Sequence, residues 1–295
     1  MDLDEFLRAQ WREHETETEA VAQRLAGSTA MIESPAQVGP YAALVTHVYG
    51  VHLARWADGA ELLRALRRAP GYDGSAQAEG PIARSLAALG LAAGDETAAE
   101  ALAPADRIAA LANASSALLD RDDLDRAIDL FDRALALAAT TPLADGLPAI
   151  RALAVGGNNL AAALEDRGDR TPAQSDAMLR AARAALTHWK RCGGWLEHER
   201  AEYRLARSAL RAGQAAEAVA AAQRCVALCD SHDAPPFERF FGHAMAALAH
   251  AAAGEPEAAT AQRTLALQAH AAVAPDEQGW CADDLAALNA ALPAA

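Results

Sequence analysis

The chain has 295 residues, of which 52% are hydrophobic but only 5% aromatic, and its formal net charge is −14. A surface of this sign repels nucleic-acid phosphates and anionic lipid, so nucleic-acid and membrane partners are not expected. The first 30 residues contain no apolar leader, no apolar stretch reaches about 18 residues, and four cysteines make no disulfide framework, so a cytoplasmic protein is predicted.

Apolar residues recur at helical spacing and alternating strand patterns are nearly absent, which predicts an all-α fold. In the N-terminal third, residues 40–56 and 59–68 predict a helix pair, residues 70–80 a loop, and residues 82–93 another helix. The secondary structure of residues 95–105 is ambiguous from the sequence. After Pro275, residues 276–292 predict a terminal helix.

Capping chemistry marks helix starts further along the chain. Ser34-Pro35-Ala36-Gln37 and Thr171-Pro172-Ala173-Gln174 each place a hydroxyl at the cap, proline at the first helical position and glutamine three residues after the cap. Further starts are predicted at three prolines or proline pairs: Pro104, Pro148 and Pro235-Pro236. Helix ends are predicted at three glycines: Gly168, Gly213 and Gly254.

Four segments share one form, a helix with a small residue midway, a short turn, and a second helix with alanine near its start. They span residues 113–135, 158–186, 203–228 and 243–267. Their midway small residues align at Ser115, Ala161, Ala206 and Ala247, which are 46, 45 and 41 residues apart. Such self-similarity predicts a helical repeat.

The pattern resembles the tetratricopeptide repeat, in a long-helix variant near 42 residues that is found in some bacterial regulators and motor-protein light chains. The residues that carry the resemblance are Ser115, Leu118, Ala127, Phe131 and Ala134 in the first segment and Leu205, Ala206, Gly213, Ala218 and Cys225 in the third. The resemblance implies a bacterial-style, right-handed superhelix of antiparallel helix pairs, an α-solenoid of about 12–14 helices. Residues 1–103 would be irregular pairs continuous with the array, residues 104–272 the repeats, and residues 273–295 a capping helix.

In such arrays the first helix of each pair lines a concave groove where partners usually bind, and this implies a set of contact residues. Asn113 and Asn159 occupy the same phase there, and a carboxamide can clamp a peptide backbone. The third and fourth pairs present Arg200, Tyr203, Arg207, Arg211 and His243. The alternative is that the arginines pair with nearby acids such as Glu197, Glu199 and Glu202 and form an ordinary solvated face.

Two other sets of residues that contain histidine can be interpreted either as binding sites or as ordinary packing. A zinc or copper(I) site is one interpretation of a set of histidines and cysteines: His188, Cys192, His198, Cys225, Cys229, His232, His243 and His250. His47 and His52, with Tyr49 and Trp56, are candidates for a pocket, although two residues five apart point about 140° apart on an α-helix. Packing explains both sets more simply, so no metal and no cofactor are predicted.

Catalytic motifs are absent from the sequence, so an enzyme is not expected. The sequence therefore predicts a non-catalytic scaffold that binds a protein or peptide segment, or an acidic ligand, in its concave groove. The alternative is a metal- or small-molecule-responsive regulatory sensor that uses the histidine and cysteine set. The alanine-rich stretch at 215–222 packs either within the array or against a second copy, which leaves a homodimer open.

Overall fold

The computed structural model describes residues 2–121 and 123–292, and over those residues its regular secondary structure is helical, without strands. The first seven helices are α1 (Leu3–Glu13), α2 (Thr18–Ala26), α3 (Pro35–Val45), α4 (Trp56–Ala65), α5 (Ala76–Ala92), α6 (Pro104–Ser116) and α7 (Leu124–Thr140). The remaining helices are α8 (Pro148–Glu165), α9 (Pro172–Cys192), α10 (Trp195–Arg211), α11 (Ala215–Ser231), α12 (Pro236–Ala252), α13 (Pro256–Ala271) and α14 (Ala282–Ala291).

Helices adjacent in sequence pack as neighbours, for example α6 with α7, α10 with α11, and α12 with α13. The predicted all-α class is confirmed for the described residues, and the paired packing is compatible with a helical repeat. The chain divides into two compact units, Met1–Leu160 and Ala161–Ala295, and α8 runs through the boundary. None of the described helices is long and apolar enough to cross a lipid bilayer.

Helix starts follow the capping chemistry of the sequence. The Thr171 hydroxyl accepts a hydrogen bond from the Gln174 amide (3.2 Å), and the Gln174 side chain accepts one from the Thr171 amide (3.0 Å). The Gln37 side chain likewise accepts from the Ser34 amide (3.1 Å). These bonds satisfy backbone donors that have no partner within the helix, so the predicted starts at Pro35 and Pro172 are confirmed.

The aligned small residues of the four segments are all fully buried: Ser115, Ala161, Ala206 and Ala247 have no exposed surface. At Ser115 the reason is visible, because its hydroxyl donates to the carbonyl of Ala127 on the paired helix at 2.7 Å. A larger side chain at this point would push α6 and α7 apart. Gly156 likewise allows a close approach, here between α8 and α6, since a Cβ at this position would lie 3.2 Å from the carbonyl oxygen of Ala112.

The Met1–Leu160 unit has a core built by its first helices. Val21, Leu25, Leu44, Leu63 and Ile82 are completely buried within it. Two tyrosines bring hydroxyl groups into this core, and each finds a backbone carbonyl: the Tyr41 hydroxyl donates to Leu25 and the Tyr49 hydroxyl to Ala22. Burial raises the pKa of Tyr41 to about 12. The tyrosines therefore fix α2 against α3 and the segment that follows α3.

The Ala161–Ala295 unit contains an apolar cluster under its last helices. Phe240, Ala244 and Ala247 of α12 lie against Ala266 of α13 and Leu288 of α14. The terminal helix predicted over residues 276–292 is present as a 3-10 turn, Gln278–Cys281, followed by α14. It packs on α12 and covers part of that helix's apolar face.

Two expectations for the N-terminal third are corrected by the structure. The predicted loop at 70–80 is shorter, because the Ser75 hydroxyl accepts a bond from the Ala78 amide (3.4 Å) and starts α5 at Ala76. The helix predicted over 40–56 is not one α-helix. It begins as α3, continues as a π-helical turn over Thr46–His52, and breaks at Ala54, which has a φ of 50°.

Candidate ligand-binding cavity and histidine cluster

A cavity of about 520 Å³ lies within the Met1–Leu160 unit. Cavities between about 300 and 1,000 Å³ are the usual size for small-molecule sites. Its walls come from α1, α3, the π-helical turn, α5, α6 and α8. The lining residues are Trp11, Gly39, Ala43, Thr46, His47, Val51, Pro81, Arg84, Ser85, Asn113, Ser116, Pro148, Arg151, Ala152, Val155 and Asn159.

Asn113 and Asn159 both line this cavity. They lie on α6 and α8, the first helices of the first two repeat segments. Among the described residues the Asn113 carboxamide has no hydrogen-bond partner, and Asn159 accepts only a long bond of 3.4 Å from Asn158. Both amides therefore have donors and acceptors available to a bound molecule.

Two arginines, Arg84 and Arg151, line the cavity. Arg84 on α5 lines it while its Nη1 donates to Asp106 Oδ1 at 2.8 Å, and both side chains of that pair are at least two-thirds buried. Arg151 on α8 lines it as well. Within the described part of the chain, no Asp or Glu belongs to the lining. A chain of net charge −14 thus presents guanidinium and carboxamide groups to this solvent-accessible cavity.

Three histidines meet at one edge of the cavity. The Nε2 atoms of His47 and His52 are 3.0 Å apart, and the ring of His14 lies 4.8 Å from His47 and 5.0 Å from His52 between centroids. One ligand atom from each histidine can be chosen so that all three lie within 4.8 Å of one another. The Trp11 ring stands 5.0 Å from His47, and both residues line the cavity.

The π-helical turn is what brings His47 and His52 together. In this turn the amide of Leu53 bonds to the carbonyl of Val48 at 3.1 Å, five residues back instead of four. Residues five apart then lie one turn apart and face the same side. The end of the turn is satisfied by Arg121, whose Nη2 donates to the carbonyls of Val51 (3.1 Å) and His52 (2.9 Å).

The environment of the cluster disfavours protonation of two of its rings. Burial lowers the pKa of His47 to about 4, and the neighbouring His52 and His14 rings act in the same direction. Burial, together with His14, also lowers the pKa of His52. These rings are therefore neutral near pH 7, and each has a nitrogen lone pair to offer.

The predicted row Arg200, Tyr203, Arg207 and Arg211 lies on α10 in the Ala161–Ala295 unit. Its first three members have intramolecular partners. Arg200 Nη2 donates to Glu238 (2.5 Å), the Tyr203 hydroxyl donates to Asp284 (2.7 Å), and Arg207 contacts both Asp284 and Glu165. Arg211 is exposed and has no partner among the described residues.

His243 and the proposed histidine and cysteine metal set are dispersed among separate contacts. His243 bonds to Gln262 (2.7 Å), His250 to Glu255 (2.6 Å), and His198 to the carbonyl of Trp189 (2.9 Å). Cys225 and Cys229 are buried, and their thiols donate to Glu199. Among the described residues, the only histidine, cysteine and carboxylate group with metal-like spacing is His14, His47 and His52.

Sequence reasoning missed four residues of this region: Trp11, His14, Arg84 and Arg151. The alignment of the four segments pointed to Asn113 and Asn159. It does not include Trp11, His14 or Arg84, and it did not single out Arg151, so no sequence pattern connected these four residues. The spacing of His47 and His52 is visible in the sequence, but an α-helical projection separates the two rings.

No protein-family model matches the sequence of this chain, and a search of curated proteins finds no match to it. The resemblance to tetratricopeptide repeats accordingly rests on the helix pairs and on the register of buried small residues.

Proposed function

We propose that this chain is a non-catalytic, tetratricopeptide-like scaffold that binds an acidic ligand in the cavity of the Met1–Leu160 unit. The ligand class is a carboxylate-bearing small molecule or the acidic part of a peptide. The observation that carries the proposal is the lining of the cavity, which holds two guanidinium and two carboxamide groups and, over the described residues, no carboxylate.

Electrostatics favours this ligand class. Arginine binds carboxylates through a planar fork of donors, and such bonds are stronger in a partly enclosed site than in water. Asp106 neutralises part of the charge of Arg84, and the bond between them uses one of the five N–H donors of that guanidinium group. The whole chain has a net charge of −14, so a lining with arginines and without carboxylates differs from the average composition of the protein.

The two asparagines supply the directional part of recognition. Asn113 and Asn159 come from α6 and α8, which are first helices of consecutive pairs, so one ligand can bridge two repeats. This is how the concave side of a tetratricopeptide-like superhelix would work. The arginine row on α10 is not included in the site, since Arg200, Tyr203 and Arg207 already bind carboxylates of the protein itself.

The test is a titration calorimetry panel of succinate, citrate and a tri-glutamate peptide, with succinamide and a tri-glutamine peptide as uncharged matches. We expect at least one acid to bind and its uncharged match not to bind. Arg84→Gln and Asn159→Ala should each weaken that binding about tenfold or more, equivalent to about 1.4 kcal/mol.

Asn158→Ala is the matched control, because Asn158 lies on the same helix and does not line the cavity. It should bind the acid like the wild type. The proposal fails if no acid on the panel binds, or if Asn158→Ala and Asn159→Ala weaken binding equally.

A further inference from the structure

We propose that His14, His47 and His52 form a zinc-binding site at the edge of the cavity. The proposal concerns the metal alone and does not depend on the acidic ligand. It also differs from the histidine and cysteine set that the sequence suggested, with which it has no residue in common.

The spacing of the ring nitrogens is close to what zinc requires. Zinc bonds histidine nitrogen at about 2.0–2.1 Å in a tetrahedral arrangement, which places pairs of ligand nitrogens about 3.4 Å apart. The Nε2 atoms of His47 and His52 are 3.0 Å apart, and the third ligand atom lies within 4.8 Å of both. The third ligand nitrogen has to approach the other two by up to about 1.4 Å to complete the tetrahedral geometry.

The backbone orients His14 for this role. Its Nδ1 lies 2.6 Å from the carbonyl oxygen of Trp11. A carbonyl can only accept a hydrogen bond, so Nδ1 carries the proton and Nε2 keeps its lone pair. Zinc-binding histidines commonly donate their second nitrogen to such an acceptor, which fixes both the tautomer and the ring orientation.

The other two histidines are held by the π-helical turn, and their contact changes on metal binding. With no metal, one Nε2 of His47 and His52 must donate to the other across 3.0 Å. A zinc ion accepts both lone pairs at once, and the proton of the donor ring moves to its Nδ1. The pair thus exchanges one neutral hydrogen bond for two metal bonds.

Charge and access around the cluster also suit a cation. A Glu15 carboxylate oxygen lies 3.9 Å from His14 Nε2, and Asp120 and Glu15 act electrostatically on His52 against the opposing charge of Arg121. All three histidines are half-buried, so an ion can enter from solvent. Three protein ligands leave a fourth position open, as in sites where zinc also binds a water or a substrate group.

The experiment uses the full chain without an affinity tag, stripped of metal by a chelator and titrated with ZnCl₂ by calorimetry. We expect one zinc ion per chain. His14→Ala and His52→Ala should each weaken zinc binding at least tenfold, and His232→Ala, an exposed histidine of the other unit, should leave it unchanged.

Cobalt replaces zinc in a second measurement that identifies the ligand atoms. Co²⁺ bound by three imidazoles gives visible ligand-field bands without the near-ultraviolet charge-transfer band of a thiolate ligand. Circular dichroism of the metal-free variants shows whether they remain folded. If His52→Ala loses helix, His14→Asn provides a milder change at the C-terminal cap of α1.

The inference is overturned if no stoichiometric zinc binds at micromolar concentration. It is also overturned if folded His14→Ala or His14→Asn binds zinc like the wild type, or if the cobalt complex shows a thiolate band. In the first case the three rings are packed aromatic groups only.

Discussion

Arg207 donates a hydrogen bond from Nη1 to the carboxylate of Asp284 at 3.3 Å, although 77 residues separate them. The Tyr203 hydroxyl donates to the other oxygen of the same carboxylate at 2.7 Å, and Arg207 Nε lies 3.2 Å from Glu165. Both carboxylates are nearly inaccessible to solvent. Tyr203 and Arg207, two of the four members of the row on α10, are therefore bound by buried carboxylates of their own unit.

The first prediction compares two members of that row. Arg207→Ala should lower the free energy of unfolding by about 2–3 kcal/mol, because it removes charged hydrogen bonds from two buried carboxylates. Glu165 keeps Arg204 and Ser208 as partners, which limits the loss. Chemical denaturation at neutral pH measures the change.

Arg211→Ala is the matched control, since Arg211 is exposed and has no partner among the described residues. Its effect should stay within about 0.5 kcal/mol. Equal losses for Arg207→Ala and Arg211→Ala would contradict the assignment of Arg207 to the interior.

The second prediction concerns Glu199, a buried carboxyl that receives hydrogen bonds from the thiols of Cys225 (2.9 Å) and Cys229 (3.8 Å). Burial raises the pKa of Glu199 to about 7, and the neighbouring Glu238 acts in the same direction. The folded state therefore favours the protonated form. Its contribution to stability is fully present below the unfolded pKa near 4.5 and is lost as the pH rises through about 7.

Glu199→Gln should consequently stabilise the protein at pH 8 relative to the wild type, by up to about 3 kcal/mol, and should flatten the fall in stability between pH 5 and pH 8. Urea unfolding at both pH values gives the comparison. The exposed Glu257→Gln should leave the wild-type pH dependence in place. A pH profile that is the same in Glu199→Gln and in the wild type would show that Glu199 does not titrate in this range.

The third prediction concerns two glycines with opposite surroundings. A Cβ at Gly71 would lie 2.2 Å from the backbone nitrogen of Ser34, and the Gly71 amide donates to the carbonyl of Ile32 at 2.7 Å. Gly71→Ala should thus cost about 3 kcal/mol, because backbone has to move. A Cβ at Gly168 would meet no described atom within 4 Å, so Gly168→Ala should be close to neutral. Thermal unfolding of the two variants measures the difference in stability between them. Equal melting temperatures would refute the close approach at Gly71.

The fourth prediction tests the buried small residue of the first repeat. Ser115→Leu should cost about 2–3 kcal/mol by overpacking the contact between α6 and α7, and Ser115→Ala about 1 kcal/mol for the hydrogen bond to Ala127. Ser116→Leu is the comparison, because Ser116 is half-buried and lines the cavity. It should affect stability less and block the acidic ligand instead. The reverse order of stabilities would mean that the register is displaced by one residue.

Much of the fold was predictable because its determinants are local. These determinants can be recognised directly in the sequence. They are prolines at the first helical position, capping boxes such as Thr171 with Gln174, and small residues where helices touch. The same register placed Asn113 and Asn159 at one cavity. Side-chain contacts between residues far apart in the chain could not be recognised in this way. The acids expected to pair with the arginine row were its near neighbours, whereas Arg200 and Tyr203 contact Glu238 and Asp284, 38 and 81 residues away.

The histidine cluster was not predictable for a different reason. Whether a helix continues with bonds four residues back or shifts to five depends on tertiary packing, here including the Arg121 side chain at the end of the turn. His14 reaches the cluster from the C-terminal end of α1, outside the four aligned segments. The sequence therefore supplied two of the three histidines and the wrong angle between them.

The shift from four to five has an evolutionary consequence. Two histidines four apart on an α-helix and two histidines five apart across a π-helical turn present the same pair of imidazoles. Insertion of one residue between two histidines four apart on an α-helix gives a spacing of five, and a π-helical turn over that spacing holds the two rings together as it does for His47 and His52. Searches for metal sites of this kind among helical proteins ought to accept both spacings as one motif.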